Sequence, residues 1–69
     1  MTSLSTYVRS MTMHTCNNHA NLACRAHEIA LINMASEAYD RAIQWQTIAR
    51  NHAAAAMRHR HFLQTGRAL

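Results

Sequence analysis

The sequence predicts an all-α fold, an antiparallel two-helix hairpin that pairs into a homodimeric four-helix bundle. Three observations carry this expectation. The 69 residues contain no proline and a single glycine, Gly66, so nothing forbids long helices. No run alternates Val, Ile or Thr with polar residues, and no Asn-Gly or Asp-Gly pair marks a strand hairpin. Apolar residues instead recur at spacings of three and four, the period of a helix that buries one face.

The first arm is expected over about residues 3–34. Leu22, Ala26, Ile29 and Ala30 form its stripe, and Leu4, Val8 and Met11 extend it toward the start. Leu31 and Cys24 fall off that stripe, so the apolar surface is broader than one neighbouring helix covers. The chain is expected to reverse at about residues 33–37, where Asn33 can end a helix and Ser36 can cap the next, with Glu37 and Asp40 at its positive start. A competing turn lies at Thr15 to Asn18, the stretch of poorest helix formers. The central position is preferred because it makes two arms of similar length.

The second arm is expected over about 37–65. Ala42, Trp45, Ile48, Ala49, His52, Ala55, Ala56, His59, Phe62 and Leu63 share one stripe, while Thr47, Arg50, Asn51, Arg58 and His61 lie opposite. Gly66 suits a left-handed cap, and Arg58, Arg60 and Arg67 lie toward the negative end of the dipole. A two-helix hairpin covers only one side of each stripe. A second copy would cover Leu22, Ile29, Trp45, Ile48 and Phe62, which are therefore the expected core and dimer residues.

Length and composition limit the functional classes. A chain this short forms one domain, whose own core leaves only a few kcal/mol of net stability. Cys16 and Cys24 cannot staple it within one helix, because eight residues span about 12 Å of axis, beyond disulfide reach. The start MTSLSTYVRS lacks the apolar run of a secretory signal, which favours a reducing cytoplasm. The longest apolar runs, Ile29 to Ile32 and Ala53 to Met57, fall far short of the about 20 residues that span a bilayer.

Catalysis finds no support, since Glu28, Glu37 and Asp40 are the only carboxylates and no nucleophile, base and orienting group share a pocket. No catalytic residue, cofactor or metal is expected. The pattern Cys16-x-x-His19 and Cys24-x-x-His27 has zinc-ligand residue types, but on one helix its ends lie about 16 Å apart. Those residues read as a half-buried cysteine and solvent-facing histidines. His52 and His59 read as boundary residues of the stripe, with metal binding or pH switching as the minor alternative.

The basic surface carries more information. Seven arginines and no lysine face three acids, a formal net charge of +4, with Arg58, His59, Arg60, His61 and Arg67 crowded at the end. Such a surface attracts an acidic protein patch or nucleic acid. Tyr39 and Arg41 are the residue types that dominate binding hot spots, with Glu37 and Arg41 as an i, i+4 pair. The expected partner-binding residues are therefore Tyr39, Arg41, Arg58 and Arg60. The alternative is a small basic helical dimer that binds nucleic acid, with Arg58, Arg60 and Arg67 on phosphates. A short glycine turn before a recognition helix is missing.

Arginine without lysine also points to a GC-rich coding genome. In length, helical texture, arginine usage and the placement of Tyr39 within MASEAYDRAI, the chain resembles the short anti-quorum-sensing proteins encoded early by temperate phages of Pseudomonas. The resemblance implies a homodimer of helical hairpins in the host bacterial cytoplasm. It would bind the DNA-binding domain of the quorum-sensing activator LasR, keep it from its promoters, and inhibit the pilus assembly ATPase PilB. Such inhibition is stoichiometric. A basic protein cannot mimic DNA, so blocking the activator would rest on shape and apolar contacts.

Overall fold

The computed structural model describes residues 6–66. It is all-helical, with α1 spanning Thr6–Ala35 and α2 spanning Tyr39–Thr65. The hairpin measures 53 × 16 × 11 Å, one helix long, two helices wide and one thick. Leu4 and Arg67 lie outside the described residues.

Poor helix formers do not break α1. Thr15 donates its hydroxyl to the Met11 carbonyl at 3.0 Å, a local bond that keeps the side chain satisfied inside the helix. The competing turn at Thr15 to Asn18 is thus excluded. Asn33 behaves similarly, donating its side-chain amide to the Ile29 carbonyl at 2.8 Å, and remains helical instead of ending the arm.

The reversal occupies Ser36 to Ala38, at the late edge of the expected turn. Glu37, not Asn33, takes the left-handed conformation, with φ of 62°. The Ala38 amide donates to the Asn33 carbonyl at 2.8 Å and the Glu37 amide to the Met34 carbonyl at 3.0 Å. This pair of bonds is the Schellman pattern that satisfies the last carbonyls of a helix. Ser36 does not cap α2 as expected. Its hydroxyl donates backward to the Ile32 carbonyl at 2.9 Å, and Ala38, the N-cap of α2, makes no side-chain cap. Asp40 does sit in the first turn of α2, on the positive end of its dipole. At the other end Gly66 adopts φ of 70° and donates to the Phe62 carbonyl, the left-handed cap its residue type favours.

The two helices meet along a seam of heptad spacing. On α1 it runs Thr12, Cys16, His19, Ala23, Ala26, Ala30 and Asn33, and on α2 Ala42, Trp45, Ala49, His52, Ala56, His59 and Leu63, all at least partly buried. Two contacts between them set the antiparallel register. Cys16 donates its thiol to the Ala56 carbonyl at 3.2 Å, and Arg9 donates to the Leu63 carbonyl at 3.3 Å.

Among the described residues the buried ones are Cys16, Ala26, Ala30, Ala42 and Ala56, all small. Small seam residues let backbones approach, and they displace the large side chains to either side. Leu22, expected at the centre of the first stripe, is 41% exposed, and Val8 and Met11 are exposed too. The hairpin presents 5505 Å² of surface, against about 4,400 Å² for a compact protein of its mass.

Candidate functional site

Three surfaces emerge from this seam. The first lies on the flank beside Trp45. Leu22, Ile29, Trp45 and Ile48 line one groove together with Arg25 and His52. Helical spacing puts Phe62, two heptads after Ile48, on the same flank. All five expected core and dimer residues therefore share one side. Trp45, Ile29 and Phe62 are half-buried, while Leu22 and Ile48 remain exposed.

The second surface lies on the opposite flank near the turn. Leu31, Met34, Tyr39 and Ile43 occupy heptad positions that face the same way from the two antiparallel helices. They are 53%, 48%, 55% and 63% exposed, so this end carries an apolar patch with nothing of the hairpin over it. Further along that flank, Cys24, His27 and Arg50 border a shallow depression floored by Ala23 and Ala49. Cys24 is an exposed free thiol and Cys16 a buried one.

The expected partner-binding residues do not gather into one site. Tyr39 and Arg41 both border the concavity at the turn, but two helical residues are about 200° apart, which directs Arg41 to the Trp45 flank. Glu37 precedes α2, so the helical i, i+4 pairing with Arg41 has no basis. Arg58 and Arg60 lie about 26 Å along α2 from Arg41 and diverge to different flanks by the same two-residue rule. Both are exposed, and Arg9 stands at the same end of the hairpin.

The third surface was not legible from spacing along one helix. His19 meets His52 across the seam, Nδ1 to Nδ1 at 2.9 Å. The His59 ring stacks on His19 with centroids 5.6 Å apart and planes 11° from parallel. His19 is thus a seam residue, not the solvent-facing one expected, and the partner of His52 is an imidazole in place of backbone or water. His27 is exposed as expected. A signal existed in the sequence, since His19, His52 and His59 all fall on seam positions, but α1's seam was read from its largest side chains. No three His, Cys, Asp or Glu side chains among the described residues are already gathered as a metal-binding group.

Among the described residues no helix is long and apolar enough to cross a membrane. Compared with protein-family models, with curated proteins and with solved structures, the chain matches none.

Proposed function

We propose that the chain is a non-enzymatic protein-binding inhibitor that works as a homodimer of hairpins. One observation carries the reading: the hairpin buries only small side chains, and its large apolar residues stand on two separate flanks. The surface is about a quarter larger than that of a compact protein of equal mass, an excess that association would remove.

The flanks divide the work. Leu22, Ile29, Trp45, Ile48 and Phe62 pair with their equivalents in a second copy to complete a four-helix bundle. The opposite patch around Tyr39 then remains free for a target, with Leu31, Met34 and Ile43 as its apolar surround. A tyrosine ringed by aliphatic side chains is the composition of an interface hot spot. Arginines at the far end accelerate encounter with an acidic partner and contribute less to residence.

The likeness to phage anti-activators names the first targets, the DNA-binding domain of a LasR-type activator and the ATPase PilB. Both would be bound stoichiometrically in the host bacterial cytoplasm. The divergence of Arg58 and Arg60 weighs against the nucleic-acid alternative, because a phosphate-tracking surface needs its cations on one face.

The test combines light scattering of the purified chain with titration calorimetry against each target. The expected result is a particle of twice the chain mass, and target binding that Tyr39→Ala weakens strongly without altering that mass. A monomer that binds equally well with or without Tyr39 would refute both halves of the reading.

A further inference from the structure

The histidines at the seam suggest a second capacity, distinct from target binding at the Tyr39 patch. His19 and His52 present Nδ1 atoms to each other at 2.9 Å from opposite helices. A borderline divalent metal bonds imidazole nitrogen at about 2.0–2.1 Å, so two nitrogens on adjacent, right-angled coordination positions lie about 2.9 Å apart. The seam spacing is that of an imidazole–imidazole hydrogen bond, and it also matches the separation of two cis ligands of an octahedral or square-planar ion, so little translation of the nitrogens separates the two arrangements.

We propose that His19 and His52 form a cross-helix clip for a divalent transition-metal ion of the nickel type, with water on the remaining positions. Neutral imidazole is the ligating form. In the metal-free pair one Nδ1 carries the shared proton. On binding, that proton leaves Nδ1 and solvent returns one to Nε2 of the same ring, which frees both Nδ1 lone pairs with no net release. The rings then turn from facing each other to facing the ion.

The surroundings suit such a clip. Neighbouring seam positions hold Cys16, Ala23, Ala49 and Ala56, all small side chains. His52 borders the groove on the Trp45 flank, so the ion and its waters reach the pair from that side in the unpaired hairpin, and a second copy over the groove competes with loading. Arg25 borders the same groove and opposes the positive charge, which limits affinity. His59, stacked on His19, is the nearest further donor after rotation about its side chain. Because the two ligands come from different helices, binding ties the hairpin together and stabilises the folded state.

The experiment is calorimetric titration of the full chain with nickel chloride alone near pH 7.5. Alongside the wild type run His19→Ala, His52→Ala, His59→Ala and a variant with His14, His27 and His61 all replaced by Ala. The expected result is one saturable site per chain, weakened about tenfold or more by His19→Ala and by His52→Ala. His59→Ala weakens it less, and the triple surface variant keeps it. Loss of binding in the triple variant, full affinity in His19→Ala or His52→Ala, or no saturable site in the wild type would each overturn the clip. A second readout needs no variant. Substoichiometric nickel should broaden the ring resonances of His19 and His52 before those of His27 and His61, and the reverse order would refute the assignment.

Discussion

Glu37 holds the hairpin's tight reversal in a conformation its residue type resists, and replacing it with glycine should stabilise the fold. Its φ of 62° makes it the left-handed residue of the Schellman turn, the place glycine usually occupies. A side chain there costs about 1–2 kcal/mol relative to ordinary backbone. Glycine removes that cost but enlarges the freedom of the unfolded chain, a loss of about 0.5–1 kcal/mol. The net gain is about 0.5–1 kcal/mol, which in a domain this small raises Tm by about 2–8 °C. The two turn bonds, Ala38 to Asn33 and Glu37 to Met34, use backbone atoms and persist in the variant. The assay is thermal unfolding of Glu37→Gly by circular dichroism at fixed chain concentration, since association couples to Tm. Glu37→Val, β-branched at the same φ, should move Tm downward. A Glu37→Gly variant that melts at or below the wild-type temperature would refute the reasoning that this residue stores backbone strain.

Three further outcomes follow from the seam and its flanks. Ala30 is fully buried against the second helix, so Ala30→Leu should overpack the seam and destabilise by about 1–3 kcal/mol, read as a lower Tm. Ile48→Glu places a charge in the groove beside Trp45, and should convert the proposed dimer to a monomer in light scattering while the helical signal persists. Tyr39→Ala should weaken target binding by about 30-fold or more, the loss of a hot-spot residue of about 2 kcal/mol, with Tm unchanged because the ring is 55% exposed.

Helix number, chain direction and the stripe of α2 were legible in the sequence because α2 places Trp45, His52, His59, Leu63 and three alanines at heptad spacing, and Gly66 ends it. The stripe of α1 was legible only in part. Ala26 and Ala30 are on the seam, but reading by hydrophobicity gave Leu22 and Ile29 equal weight, whereas close helix approach selects for small size and moves those two to the side. Cys16 and His19 escaped for the same reason. The turn was located to within a few residues and misread in detail, since Glu37 carries no sequence signal for a left-handed conformation. Contacts across the chain, such as His19 with His52, depend on the register of two helices. One-helix periodicity contains no information about it.

A seam in which alanine recurs at heptad spacing, at Ala23 and Ala30 on α1 and at Ala42, Ala49 and Ala56 on α2, has partial translational symmetry. Sliding one helix past the other by a heptad exchanges alanine for alanine at those positions, so packing there discriminates poorly between alignments. The discrimination falls on the few residues that break the repeat: the Cys16 thiol on the Ala56 carbonyl, Arg9 on the Leu63 carbonyl, the paired imidazoles and the indole of Trp45. The three-residue connection supplies the rest, because a chain that reverses between Ala35 and Tyr39 has no slack for a shift of about 10 Å. Lengthening that connection would turn a single alignment into a set of competing ones, and the hairpin would behave as a sliding joint.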